Sequence, residues 1–277
     1  MSDPELIDVL HLGYPRVICC YRVGDVLIDP GPAVSVEPIL AALGDDVPRR
    51  LLLTHIHLDH AGAAGTLVRR FPDLEVWVSE VGAPHLVDPT KLVASATRLY
   101  GEEMDRLWGE VLPVPERNIR TLAGGEAIDG WQVAATPGHA SHHVSFLRED
   151  LGWAFVGDVA GVRVIPGFIF PPTPPPDIDL EAWRASLEIV GEWTPMALAV
   201  THFGVYRDVE AHLARIRDAL AHWSDLSRIT DEKAYTAAML AAMSSCGDLA
   251  SQRAMADAVA PGQQWAGLHR YWSKREG

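Results

Sequence analysis

The sequence predicts a layered α/β fold followed by a C-terminal helical extension. Three observations carry this. Short apolar runs of strand length alternate with helical patterns at the start of the chain. Strand-like runs return between residues 120 and 156 and again at 196–200. From residue 208 onward the periodicity is helical, with little strand signal. The division this suggests is a mixed domain over 1–205 and a helical extension over 206–277 packed on it. A prior of roughly 150 residues per domain allows one large domain or two small ones.

The elements follow in order. Runs at 6–12, 17–21 and 26–28, broken by Gly13-Tyr14-Pro15 and Gly24-Asp25, read as a β meander. Asp29-Pro30-Gly31-Pro32 stops it, and 36–43 has a helical pattern. Residues 49–54 form a short buried strand, then a loop, a helix near 61–71 and a strand at 76–78. Residues 81–116 are mostly helical, with Leu92, Ala96, Leu99, Met104 and Leu107 spaced for one face. They read either as an ordinary amphipathic helix pair or as a wall of a site reached by His85, Arg98 or Tyr100. Strands are expected at 120–122, 131–136, 144–147 and 153–156. The proline-rich stretch 166–176 excludes a central strand or helix interior. It is either a stiff connector or a lid that places Phe168 and Phe170 near a pocket. Asp179 reads as a helix N-cap and 196–200 as the last strand. Helices are expected over 209–223, 231–243, 248–259 and 264–272.

Composition narrows the function. The 23 Lys and Arg against 37 Asp and Glu leave a net charge of −14, which argues against a nucleic-acid or anionic-membrane partner. A bound metal can still reverse the field locally, so a small anionic ligand is not excluded. Apolar runs fall short of the roughly 20 residues of a membrane helix. The acidic start, Met1-Ser2-Asp3-Pro4-Glu5, argues against a secretory signal. Three cysteines, two of them adjacent, make no disulfide framework and suit a reducing cytoplasm.

The chemistry-bearing segment is Thr54-His55-Ile56-His57-Leu58-Asp59-His60, directly after an apolar strand. Imidazole and carboxylate donors suit zinc, and also iron or manganese. His55 and His57 can share one ion, while Asp59 and His60 address a second. Further donors sit where strands end: His139 after Thr136-Pro137-Gly138, Asp158 after Val156-Gly157, and His202 after Thr201. Strand-end loops of α/β folds are where sites collect. A serine elbow, a phosphate loop, a dinucleotide fingerprint and a C-x-x-C pair are all missing from the sequence.

These motifs, from Asp29-Pro30-Gly31 through Thr201-His202, resemble the metallo-β-lactamase-fold hydrolase superfamily, in its glyoxalase II-like branch. The resemblance implies an αββα sandwich with the metal site along one edge. It implies that His55, His57 and His139 hold a first metal, that Asp59, His60 and His202 hold a second, and that Asp158 bridges them. Asp29 and His143 would support the ligands from behind. Two zinc ions, or iron or manganese, would then hold a bridging hydroxide that attacks a small ester, thioester or lactone. Asp59 and Asp158 are the catalytic carboxylates in this reading, with Asp59 also orienting the hydroxide. His85, Tyr100, Arg163, Phe168 and Phe170 are candidate substrate contacts.

The glutathione-binding segment of glyoxalase II-like enzymes does not map onto the residues after Asp158, where Arg163 is the only nearby cation. No nucleic-acid or flavin module is evident. His142 stands where the family motif often has glycine. His11, His212, His222 and His269 read as structural or exposed. The C-terminal helices either complete the pocket or form a homodimer contact. Two alternatives remain: a mononuclear iron enzyme of the persulfide dioxygenase kind, using His55, His139 and Asp158, and a non-catalytic metal-binding module.

Overall fold

A computed structural model describes residues 3–276. Its core is two six-stranded sheets. The first runs β1 (Glu5–Asp8), β2 (Cys19–Val23), β3 (Val26–Ile28), β4 (Arg50–Leu52), β5 (Glu75–Ser79) and β6 (Ile119–Leu122), in that spatial order. The second has the order β12-β11-β10-β9-β8-β7. Its strands are β7 (Ala127–Ile128), β8 (Trp131–Ala135), β9 (Val144–Arg148), β10 (Trp153–Phe155), β11 (Ala197–Val200) and β12 (Gly204–Tyr206). The parallel pairs are β3–β4, β4–β5, β5–β6 and β10–β11, and the sequences of β3, β10 and β11 are continuous apolar runs. Such runs suit strands covered on both faces. Tyr21 joins the sheets: its hydroxyl donates to the carbonyls of Val200 and Gly204, at 2.8 Å each, and its ring meets Phe155 edge-on.

Among the described residues eleven α-helices flank the sheets: α1 (Glu37–Leu43), α2 (Leu58–Ala61), α3 (Ala64–Arg70), α4 (Ala83–Val87), α5 (Thr90–Tyr100), α6 (Met104–Leu107), α7 (Leu180–Glu192), α8 (Val209–Ile229), α9 (Glu232–Cys246), α10 (Leu249–Ala258) and α11 (Pro261–Glu276). Asp179 caps α7 as expected, accepting from the Glu181 and Ala182 amides. The expected helix pair at 81–116 is instead three short helices. Pro89 interrupts the first, and Gly101, at φ +53°, ends the second. Strand Gly204–Tyr206 lies beyond the strand expected to be last and forms the sheet edge. Among the described residues no helix is long and apolar enough to cross a membrane.

The C-terminal helices share one continuous apolar cluster with the sheets: Ile216, Leu220, Tyr235, Met239, Met255 and Leu268 belong to it. They are also pinned to the proline-rich stretch. The Thr173 amide donates to Gln264 Oε1 at 2.6 Å, and the Thr173 hydroxyl donates to the Gln264 carbonyl at 2.9 Å, both residues being buried. Gly267 allows the approach, since a Cβ there would stand 2.1 Å from the Thr173 carbonyl oxygen. Gln264→Ala should therefore destabilise the protein by about 1–3 kcal/mol, the cost of an orphaned buried donor. An unchanged urea midpoint would show that the clamp is redundant.

Candidate metal centre

The site is assembled from loops at the C-terminal ends of five strands. Asp29 follows β3, residues 54–60 follow β4, 136–139 follow β8, Asp158 follows β10, and Thr201-His202 follow β11. Gly138 is needed for the third loop: its φ is +139°, and a Cβ there would lie 2.4 Å from the Trp183 backbone.

Outer partners fix four of the five imidazoles. His139 Nδ1 donates to the Pro172 carbonyl at 2.8 Å, and His202 Nδ1 to the Val17 carbonyl at 2.7 Å. His60 Nδ1 donates to Asp29 Oδ2 at 2.8 Å. The same Oδ2 accepts the hydroxyls of Thr54 and Thr201 at 2.7 and 2.8 Å, and Oδ1 accepts the Thr54 amide at 2.8 Å. Because the Thr54 proton goes to Asp29, its oxygen is left to accept from His55 Nδ1 at 3.1 Å. The consequence is chemical. When neutral, His55, His60, His139 and His202 all turn an Nε2 lone pair inward.

Those lone pairs converge. His57 Nδ1 stands 3.0 Å from His55 Nε2 and 2.9 Å from His139 Nε2. One proton on His57 can satisfy only one of these neighbours, so a lone pair faces a lone pair unless a cation lies among them. Opposite, Asp59 Oδ2 is 3.2 Å from His202 Nε2 and 3.9 Å from His60 Nε2. Asp158 reaches both groups, at 3.3 Å from His60 Nε2 and 3.4 Å from His139 Nε2. His60 Nε2 and Asp158 Oδ1 are buried with no hydrogen-bond partner. Three donor groups have atoms within 4.8 Å of one another: His55, His57 and His139; Asp59, His60 and His202; and His55, His60 and Asp158 across the middle. Orphaned, preoriented donors of this kind fit divalent metal ions.

The electrostatics agree. Burial, reinforced by neighbouring imidazoles, pushes His55 and His57 well below the ordinary histidine range, so both are neutral ligands at pH 7. Burial opposes a charge on His60 too, but Asp158, Asp29 and Asp59 outweigh it and hold its proton well above the usual value. Burial would likewise raise Asp158, yet His60, His202 and His139 drive it well below the carboxylate range. Without a metal, protonated imidazole supplies the positive charge these carboxylates require.

The expected supports lie behind the ligands. Asp29 is fully buried beneath the histidine loop. His143 stacks on the His55 ring at 5.1 Å and is held by Thr136. His142 accepts weakly from the Ile56 amide beside this loop and belongs to none of the donor groups.

Outward from the metal residues runs a cleft of about 100 Å³. His57, Asp59, His139 and Asp158 form its inner end; Leu92, Leu99, Tyr100 and Trp108 line one wall. Val259 and Gln264, from the C-terminal helices, line another. Of the candidate substrate contacts, Tyr100 lines the cleft and the other four do not. Arg163 points elsewhere because Asp208 takes both ends of its guanidinium, at 2.9 and 3.0 Å, and Tyr206 stacks under it. Phe170 is buried on Trp223, with Phe168 stacked against it, so the proline-rich stretch lends the cleft its prolines and not its phenylalanines. His85 is half-buried on α4, outside the cleft. Sequence reasoning also missed the Trp108 wall and its backing by His11, whose ring stacks on it at 5.7 Å. Burial lowers His11 to about 4, so it packs there as a neutral ring.

The family model described as "Metallo-beta-lactamase superfamily" matches residues 18–202, the stretch that holds every donor above. The chain belongs to the metallo-β-lactamase superfamily. Among relatives of this metallo-β-lactamase-fold chain, the "Metallo-beta-lactamase fold-containing protein ST1585" of Sulfurisphaera tokodaii is 28% identical over 208 residues, 72% of this chain and 77% of that one. Its crystal structure superposes with a TM-score of 0.66 at 26% identity, covering 78% of this chain and 86% of that one. A hydroxyacylglutathione hydrolase of Xanthomonas euvesicatoria is 31% identical over 135 residues, 48% of this chain and 40% of that enzyme. The structure of TTHA1623 "in a di-iron-bound form" is 28% identical, with a TM-score of 0.52, over 75% of this chain and 91% of that one.

Proposed function

We propose that this chain is a binuclear metal-dependent hydrolase acting on a small ester, thioester or lactone. The observation that carries the reading is the pair of donor groups, three imidazoles on one side and Asp59, His60 and His202 on the other, with Asp158 reaching both. The similarity to a hydroxyacylglutathione hydrolase, over part of that enzyme, supports acyl hydrolysis. Two divalent ions held there supply Lewis acidity and a water whose pKa falls towards about 7. The protein's own residues do the rest. Asp59, about one-fifth exposed, faces the cleft beside the half-buried His57 and is placed to orient an attacking water. Leu92, Leu99 and Trp108 exclude bulk water from the inner end. The nitrogen and oxygen donors suit zinc, and iron or manganese are alternatives, given the di-iron form of TTHA1623. A reducing cytoplasm is the proposed location, with Cys19, Cys20 and Cys246 all free thiols.

The test is metal content per chain, measured by elemental analysis on protein purified without chelator, followed by an ester, thioester and lactone screen. About two zinc ions with turnover is the expected result. Turnover that survives complete metal removal would overturn the proposal. About one iron, with oxygen uptake on a glutathione persulfide, would replace it by the mononuclear dioxygenase reading.

A further inference from the structure

The walls of the cleft are uncharged. Beyond the metal residues its lining is apolar apart from Ser95, Gln263, Gln264 and the Tyr100 hydroxyl, with no Lys or Arg and no further carboxylate. The cleft does not end there. Ser95, Leu99, Pro175 and Pro176 also line a second, more superficial depression, whose remaining residues are Arg98 and Arg270. Arg98 comes from α5 and Arg270 from α11, so two segments remote in the chain each bring an arginine to the lining of one depression. Both side chains are exposed, and neither is held in an ion pair among the described residues.

This pairing stands out against the rest of the surface. The chain carries a net charge of −14, and acids outnumber bases across it. The half-buried arginines, unlike these two exposed ones, are tied down: Arg22 to Asp46, Arg50 to Asp129, Arg148 to Asp150, Arg163 to Asp208 and Arg217 to Glu188. Two arginines with no ion pair among the described residues, lining one depression that shares Ser95, Leu99, Pro175 and Pro176 with the cleft, suit an anion. Guanidinium binds carboxylate and phosphate through paired charge-assisted hydrogen bonds.

We propose that Arg98 and Arg270 form a subsite for the anionic end of the substrate. This deepens the hydrolase reading and rests on it. The substrate class is an amphiphile. Its scissile acyl group lies at the metal residues, an uncharged apolar part fills the stretch along Leu92, Leu99 and Val259, and a carboxylate or phosphate sits between the two arginines.

The test is calorimetric binding of three inert probes to the metal-loaded protein: 4-phenylbutanol, 4-phenylbutyrate and 4-phenylbutyl phosphate. At least one anion should bind about 10-fold more tightly than the alcohol, and which one does distinguishes a carboxylate from a phosphate subsite. That preference should weaken with added salt and vanish in Arg98→Ala/Arg270→Ala. Arg98→Lys/Arg270→Lys should retain part of it, because the charge stays while the planar fork is lost. Equal affinity of all three probes would overturn the proposal. So would an anion preference that survives the double alanine variant, which would assign the anion to the metal ions. Because the readout is binding, a failed hydrolysis screen leaves this test standing, and a failed subsite leaves the hydrolase reading standing.

Discussion

Asp158→Asn should abolish turnover while leaving a cooperatively folded protein. Among the described residues Asp158 is the one side chain whose carboxylate lies within 3.8 Å of imidazoles from both donor groups, His139 on one side and His60 and His202 on the other. Asparagine keeps the volume in this buried position but brings one neutral oxygen and an NH₂ group that repels a cation. Losing an outer partner of a ligand commonly weakens a metal site by about 10–100-fold, so losing a shared ligand should exceed that. The alanine variant is a harsher test. Both variants leave His60 and His202 with one counter-charge fewer, a change that costs about 3–5 kcal/mol when a buried pair is broken, and alanine adds a cavity. The readouts are kcat, metal ions per chain and far-ultraviolet circular dichroism. Loss of both turnover and bound metal with an unchanged spectrum is the expected outcome. Undiminished turnover in Asp158→Asn would sink the mechanism.

The parts of this site that were legible in the sequence are those written locally. His55, His57, Asp59 and His60 fall within six residues, in the loop after β4 and on α2 that follows it, and His139, Asp158 and His202 each follow a recognisable apolar strand. The cleft walls were not legible, because they join segments remote in the chain. Trp108 and Val259 meet across the same cavity, although a run of helical pattern holds the first and a helical appendage the second. The fate of Arg163 shows the same limit. Its sequence position beside Asp158 suggested a substrate contact, but its partner Asp208 lies 45 residues on and could be seen only in three dimensions. The phenylalanines of the proline-rich stretch failed as lid residues for a related reason. Trp223, from the C-terminal helices, offered Phe170 a buried neighbour that the local pattern could not announce.

If the site holds two ions as proposed, Asp29→Asn should separate the two metal positions. Asp29 is an αL residue, at φ +49°, where asparagine is tolerated and alanine is strained. The substitution therefore leaves the backbone alone and changes only what the side chain can accept. The carboxylate takes four donors: the Thr54 amide, the Thr54 and Thr201 hydroxyls, and His60 Nδ1. An amide oxygen can keep the Thr54 amide, but the remaining donors then face an NH₂ group. The threonine hydroxyls can rotate. The His60 ring cannot, and its simplest escape is to move its proton to Nε2, the nitrogen that must be bare to bind a metal. His57 and His139 do not touch Asp29, and His55 touches it only through Thr54. The expected result is one ion held nearly as before and a second weakened by more than about 10-fold, the usual scale for an outer partner. Global stability should fall by about 1–3 kcal/mol, as for an orphaned buried donor. Metal titration followed by urea unfolding reads both. Equal weakening of both ions would mean that Asp29 supports the whole loop through Thr54. Two unweakened ions would mean that His60 does not depend on Asp29 for its tautomer, and the orientation argument for the second metal position would fall with it.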